Sequence, residues 1–320
     1  MPRMEQPSTE PRAIEDRAIG ALLGLAIGDA IGTTLEFRAR DTYEALTDMV
    51  GGGPFSLKVG EWTDDTAMAL ALSDSLEAHE DLDEQDLLGR FINWWQWGIY
   101  SCTGECFDIG ITTRQALMRW QSTKDPYCGP TDPMSAGNGS LMRLAPVAIR
   151  FWKDRARLRD VAARQSKTTH GAPEAIDACI AFAEVLADAI EGRPRLEVLR
   201  ARSEPYAGAI GTVMRGQWRG KARTEIRSTG YVSHSLEAAL WCVDRTTHYR
   251  EAVLMAANLG EDADTTAAIT GQLAGALYGA SGIPENWASR VAWGAQIKVK
   301  ATNLVGNAMP DRSQMIPPAR

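Results

Sequence analysis

The chain has 320 residues, 44% hydrophobic and 23% charged, the balance of a folded globular protein with a large core. A net charge of −7 excludes broad electrostatic capture of nucleic acid, which needs a basic face. Five cysteines, an odd number with no CxxC pair, read as reduced thiols, not as a disulfide frame or a zinc site.

Residues 1–11 carry three prolines and no apolar periodicity, which predicts a disordered leader before one all-α domain over 12–310 and a flexible tail over 311–320. No targeting pattern stands in front of the domain, so the cytoplasm is the expected compartment. The most apolar stretch, 18–35, is interrupted by Asp29 and reads as a buried core helix, not a membrane span. Within it Gly20, Gly24, Gly28 and Gly32 recur every fourth residue and share one helix face. Such a stripe costs helix propensity, and the compensation is very close packing against another helix. Gly271, Gly275 and Gly279 repeat the device, so two glycine-striped central helices are expected.

Helical periodicity predicts further helices over 66–77, 83–97, 110–120, 139–151, 158–165, 173–190, 196–203, 236–243 and 249–258. No alternating pattern competes, which gives an all-α, many-helix, single-domain fold. Two Gly/Pro-rich stretches, 49–62 and 121–138, read as surface loops of the kind that carry function. Most of the ten tryptophans read as helix-packing residues.

The chemistry concentrates in two segments of one design. Thr63-Asp64-Asp65-Thr66 and Asp262-Ala263-Asp264-Thr265-Thr266 each open an Ala-rich helix. One such cluster alone is explained by capping, since Thr and Asp accept the first N–H groups of a helix and carboxylates suit its positive end. Two clusters offer a surplus: Thr63, Asp64, Asp65, Asp262, Asp264 and Thr265 form an all-oxygen set suited to hard divalent cations, two Mg²⁺ or Mn²⁺ ions. Four carboxylates brought together without cations would repel strongly. Gly137-Asn138-Gly139-Ser140 taken alone reads as a simple turn and cap, and only the wider motif pattern around it turns it into an expected anion-binding helix start.

Five motifs follow in a fixed order: Gly24-Leu25-Ala26-Ile27-Gly28-Asp29-Ala30-Ile31-Gly32 with Glu36; Thr63-Asp64-Asp65-Thr66; Gly137-Asn138-Gly139-Ser140-Leu141-Met142-Arg143; Thr169-His170; and Gly260-Glu261-Asp262-Ala263-Asp264-Thr265-Thr266. Together they resemble the ADP-ribosylglycohydrolase family typified by the dinitrogenase-reductase-activating glycohydrolase, over residues 14–290. The resemblance implies an all-α orthogonal bundle with a binuclear Mg²⁺/Mn²⁺ centre that hydrolyses the bond from the ribose anomeric carbon of ADP-ribose to an acceptor. It makes ADP-ribose or an ADP-ribosylated protein the expected partner, with no membrane involved. It implies that the six oxygen residues above are the metal ligands, with Asp65 and Asp264 also in the catalytic set. Glu36 matches a carboxylate that closes over the ribose, and Asp108, in Phe107-Asp108-Ile109-Gly110, matches a catalytic or ribose-orienting acid. Gly137, Asn138, Gly139, Ser140, His170 and Tyr231 match the substrate pocket, His170 by its Thr-His context and Tyr231 as an aromatic that stacks on adenine.

One departure stands out. Relatives commonly continue the Asp-x-Gly motif with Asn-Thr, whereas this chain has Ile111-Thr112. An apolar Ile111 cannot hydrogen-bond as an amide does, which bears on acceptor choice and rate. Removal of ADP-ribose from arginine is the leading expectation. A serine or small-molecule acceptor, a non-catalytic ADP-ribose binder and a generic Mg²⁺ phosphohydrolase are the alternatives.

Overall fold

The computed structural model describes residues 10–308, so residues 1–9 of the expected leader and the expected tail over 311–320 lie outside the described residues. Fourteen α-helices are described: α1 (Pro11–Gly32), α2 (Asp64–Ala78), α3 (Glu84–Trp97), α4 (Ile111–Thr123), α5 (Ala145–Phe151), α6 (Arg155–Lys167), α7 (Pro173–Glu191), α8 (Arg195–Val198), α9 (Ile210–Met214), α10 (Val232–Asp244), α11 (Tyr249–Ala257), α12 (Ala263–Tyr278), α13 (Glu285–Ala288) and α14 (Gly294–Ala308). Among the described residues there is no β-strand, only two isolated bridges, Gly52 to Leu57 and Gly137 to Tyr231. The all-α expectation holds.

The most extensive helix contact in the molecule is between α1 and α12. Its register is set by missing side chains. A Cβ on Gly20 would meet the Gly275 carbonyl oxygen at 2.2 Å, one on Gly24 that of Gly271 at 2.4 Å, one on Gly28 that of Ala267 at 2.2 Å, and one on Gly32 that of Ala263 at 2.3 Å. As the α1 position rises by four, the α12 position falls by four, so the two helices run antiparallel in backbone contact. This is the close packing that compensates the glycines' poor helix propensity. Gly279 is the exception to the stripe, since with φ of 74° it follows the last residue of α12. The register also fixes the functional end: α1 finishes where α12 begins, so Asp29 arrives beside Asp264.

Helix α1 is long and apolar enough to cross a membrane, yet 89% of its most apolar window is buried inside the protein, as a core helix requires. Helices α2, α5, α7, α10, α11 and α14 pack around the central pair.

Three predicted elements differ. The helix expected over 139–151 begins only at Ala145, because Pro146 fits the first turn but not a helix interior. The helix expected over 196–203 reduces to α8, which ends at Val198. Helix α1 begins at Pro11, the last residue of the expected leader, with that proline in its first turn.

Candidate active site

The two Thr/Asp clusters meet. Thr63 Oγ1 lies 3.3 Å from Asp65 Oδ2 and 3.5 Å from Asp264 Oδ2, while Thr265 Oγ1 lies 3.4 Å from Asp65 Oδ2. Neither Thr63 nor Asp262, the residues that cap α2 and α12, uses its side chain to cap. The surplus argument therefore stands: Asp264 Oδ1 accepts the Thr265 N–H at 2.7 Å, while the two N-cap side chains remain free of capping.

Other segments satisfy the helix ends. Asp29 Oδ1 accepts the backbone N–H of Thr63 at 2.9 Å and its hydroxyl at 2.8 Å, and Asp29 Oδ2 accepts the N–H of Thr66 at 3.0 Å and its hydroxyl at 2.6 Å. Glu36 Oε2 accepts the N–H of Ala263 at 2.8 Å and of Asp264 at 3.4 Å, at the positive end of α12. Asn138 donates its side-chain amide to Asp262 Oδ2 at 2.6 Å and to Ser235 at 2.8 Å.

Burial and mutual repulsion dominate the electrostatics. Asp64 and Asp65 are pushed far above the usual carboxylate range, first by burial and then by neighbouring aspartates. Asp29 rises to about 7, through burial and the Asp264 charge, against the lowering hydrogen bonds from Thr66 and Thr63. Asp262 also rises to about 7, again by burial first and Asp264 second. Glu36 is raised strongly by the same pair of causes. Asp108 rises to about 11, through burial and the charges of Asp64 and Asp264.

This is a site short of positive charge. Asp29, Asp65 and Asp264 each bring a carboxylate oxygen within 4.8 Å of the others, and so do Glu36, Asp262 and Asp264. Asp65 Oδ1 is buried with no hydrogen-bond partner, the condition of a ligand atom waiting for a cation. Hydroxyl and carboxylate oxygens converging at these distances suit an oxygen-liganded hard divalent ion. The residues present thus fit metal. Asp29 fits best as a positioning residue, because its four hydrogen bonds occupy the lone-pair directions of both oxygens.

Above the acidic centre opens a cleft of about 630 Å³. Glu36, Asp64, Asp108, Glu261, Asp262 and Asp264 line it, and no Lys or Arg does among the described residues. Asp108 reaches it from a left-handed backbone position with φ of 59°. Thr265, Gly137, Asn138, Gly139 and His170 also line it, while Thr63 and Asp65 lie buried beneath.

His170 is buried, with Nδ1 2.9 Å from the Thr169 hydroxyl. Burial and the Arg143 charge push its pKa down to about 3, so it faces the cleft as a neutral ring. Its ring packs on the glycine turn, and a Cβ on Gly139 would lie 2.7 Å from Cε1. Arg143, fully buried, holds that wall together: it donates to the Gly139 carbonyl at 3.2 Å and to the Thr169 hydroxyl at 2.9 Å.

The structure corrects several expected roles. Gly137–Ser140 does not open a helix. The Asn138 carbonyl accepts from Leu141 and Met142 to make a single turn. Ser140 faces the core, its hydroxyl 2.8 Å from that of Ser166. Asn138 has spent its amide on Asp262 and Ser235. Tyr231 does not line the cleft: its ring centroid lies 5.5 Å from that of His234 and its hydroxyl 3.4 Å from the Pro133 carbonyl, while Thr229 and Gly230 beside it do reach the cleft. Cys102 and Cys106 are half-buried thiols pushed to about 12 chiefly by burial, which leaves them inert. Asp29 is the residue that sequence reasoning passed over, although a lone charge inside the most apolar stretch was the signal.

The chain is similar to known proteins along most of its length. The ADP-ribosylglycohydrolase family model matches residues 10–313. The chain is 44% identical over 315 residues to an ADP-ribosylarginine hydrolase, Tri1, of Pseudomonas putida, covering 95% of this chain and 85% of the relative. It is 33% identical to the ADP-ribosyl-[dinitrogen reductase] glycohydrolase of Rhodospirillum rubrum, covering 87% of this chain and 91% of the relative. A solved ADP-ribosylglycohydrolase-related protein complex superposes with a TM-score of 0.84 at 37% identity, over 93% of this chain and 100% of that one. With an acidic centre built from the motifs of that family and a match along almost its whole length, this chain belongs to the ADP-ribosylglycohydrolase family.

Proposed function

We propose that the protein is a metal-dependent hydrolase that removes ADP-ribose from arginine side chains of modified protein. The observation that carries it is the convergence of Thr63, Asp64, Asp65, Asp262, Asp264 and Thr265, from the starts of two helices, beneath a cleft walled by Asp108 and Glu36. The 44%-identical relatives named ADP-ribosylarginine hydrolases support arginine as the acceptor.

The six oxygen residues would hold two divalent cations, Mg²⁺ or Mn²⁺, which when bound neutralise the carboxylates and activate water or polarise the ribose oxygens. Asp29 holds the Thr63 hydroxyl in place, and Asn138 does the same for Asp262. Asp108 and Glu36 share the proton transfers: the departing guanidine gains a proton and the attacking water loses one. The neutral His170 ring and the Gly137–Gly139 turn bound the ribose side of the cleft without adding charge.

The test is incubation with ADP-ribosyl-arginine, ADP-ribosyl-serine and free ADP-ribose, with Mg²⁺ or Mn²⁺ and again with chelator. Metal-dependent release of ADP-ribose from the arginine conjugate is expected. Release of phosphate instead, or no release from any conjugate, would overturn the reading.

A further inference from the structure

Phe37 is an anomaly. It directly follows Glu36, it is 67% exposed, and its φ of 61° lies in the left-handed region that a bulky side chain avoids. The strain is held in place by paired backbone hydrogen bonds, Phe37 N–H to the Glu261 carbonyl at 2.8 Å and Glu261 N–H to the Arg38 carbonyl at 2.7 Å. Glu261 is itself left-handed, with φ of 62°. A fold under no other demand would turn so large an apolar ring inward. Here it lines the cleft.

The ring is also supported from behind. Phe37 meets Phe55 edge-on with centroids 6.3 Å apart, and Phe55 meets Phe107 at 5.2 Å. Phe107 precedes Asp108, so the three rings form a ledge joining the two segments that carry Glu36 and Asp108. Ile111, also 67% exposed, lines the same cleft three residues beyond Asp108.

Resting on the function proposed above, we infer that Phe37 and Ile111 form the acceptor subsite, receiving the arginine side chain that leaves ADP-ribose. A planar guanidinium stacks on an aromatic face, and the carboxyl oxygens of Glu36 and Asp108, which line the same cleft, can accept its N–H groups. The methylene stem of the same side chain has Ile111 to lie against, which gives the apolar residue at that position a use in this chain. A serine acceptor offers neither the cation nor the stem.

The experiment has two arms. In the first, Phe37→Ala and Phe37→Trp are assayed with ADP-ribosyl-arginine and ADP-ribosyl-serine, and free ADP-ribose binding is measured by calorimetry. Phe37→Ala should lower kcat/KM for the arginine conjugate about three- to tenfold, mainly through KM, while Phe37→Trp retains it and ADP-ribose binding is unchanged. In the second, arginine and its neutral isostere citrulline are titrated into the protein saturated with ADP-ribose and Mg²⁺. Arginine should bind several-fold more tightly than citrulline, and Phe37→Ala and Ile111→Asn should each weaken it. Equal loss on both conjugates, or arginine binding indifferent to Phe37, overturns the subsite. If no conjugate turns over but arginine binding still depends on Phe37, the hydrolytic reading fails while the subsite stands.

Discussion

The Asp29 carboxylate accepts both the backbone N–H and the hydroxyl of Thr66, at 3.0 and 2.6 Å, from the buried last turn of a glycine-striped helix. A charge at that depth has one evident purpose. It stitches the first turn of α2 to α1 and turns the Thr63 hydroxyl toward Asp65 and Asp264.

Asp29→Asn replaces one acceptor oxygen with a donor, so one of the two threonines loses its partner and the centre loses a charge. Outer-shell changes of this kind cost about 10- to 100-fold in metal affinity. The Mg²⁺ or Mn²⁺ concentration for half-maximal activity should rise by that factor, with much of kcat recovered at saturating metal. An unchanged metal dependence would show that Asp29 only holds helices together.

Linkage gives a pH signature that needs no substrate. In the metal-free protein Asp29 and Asp262 stand at about 7, well above the ordinary 3.8 of an aspartate, so the folded state binds more protons than the unfolded chain between those values. Their stabilising contribution is full below the unfolded pKa and is lost as pH rises through 7. The Tm of chelator-treated protein should therefore fall from pH 5 to pH 8, and the gain in Tm on adding Mg²⁺ should grow over the same interval. Metal binding near pH 6 should release protons, seen as a buffer-dependent calorimetric enthalpy. His170, neutral with and without metal, drops out of that difference. A metal-induced gain that is flat with pH would contradict the coupling.

Much of this centre was legible in the sequence. The paired Thr/Asp clusters stood out because helix capping cannot use so many oxygens, and in the structure neither N-cap side chain, Thr63 or Asp262, makes a cap bond. The glycine stripes announced a backbone-to-backbone helix pair. What stayed hidden was partnership at long range. Asn138 reads as a turn residue until its amide is seen on Asp262, 124 positions away. Ser140 reads as polar and available until Ser166 is found against it. Tyr231 reads as an aromatic for stacking, whereas its ring goes to His234. Helix α14 was legible but passed over: Ile297, Ala301, Leu304 and Val305 stand at the i, i+4, i+7, i+8 spacing of one buried helix face.

The cleft wall offers a steric test. A Cβ on Gly139 would stand 2.7 Å from His170 Cε1, and that ring is buried and tied to Thr169, so it cannot simply swing aside. Overpacking of this kind costs about 1–3 kcal/mol. Gly139→Ala should therefore weaken ADP-ribose binding by calorimetry while leaving the metal titration in place. Adding His170→Ala to make the double variant should recover part of the loss, because the clashing ring is gone. Loss of metal binding in the single variant would mean that the turn supports the acidic centre rather than the ribose.

The register of α1 on α12 ties stability to the site. At Gly275 a Cβ would stand 1.9 Å from the Gly20 carbonyl oxygen, and at Gly32 one would stand 2.5 Å from the Asp264 Cα. Both are backbone clashes that no side-chain rotamer relieves, so the helices must separate or slide, at a cost of at least about 1–3 kcal/mol. The two variants should nonetheless part company. Gly275→Ala lies at the end of the helix pair far from the acidic centre and should lower the urea midpoint while sparing metal affinity in the protein that remains folded. Gly32→Ala moves Asp264 away from Asp29 and should lower both. If the two variants lost metal affinity to the same extent, helix separation would be a global event, and the stripe would set stability without setting the geometry of the centre.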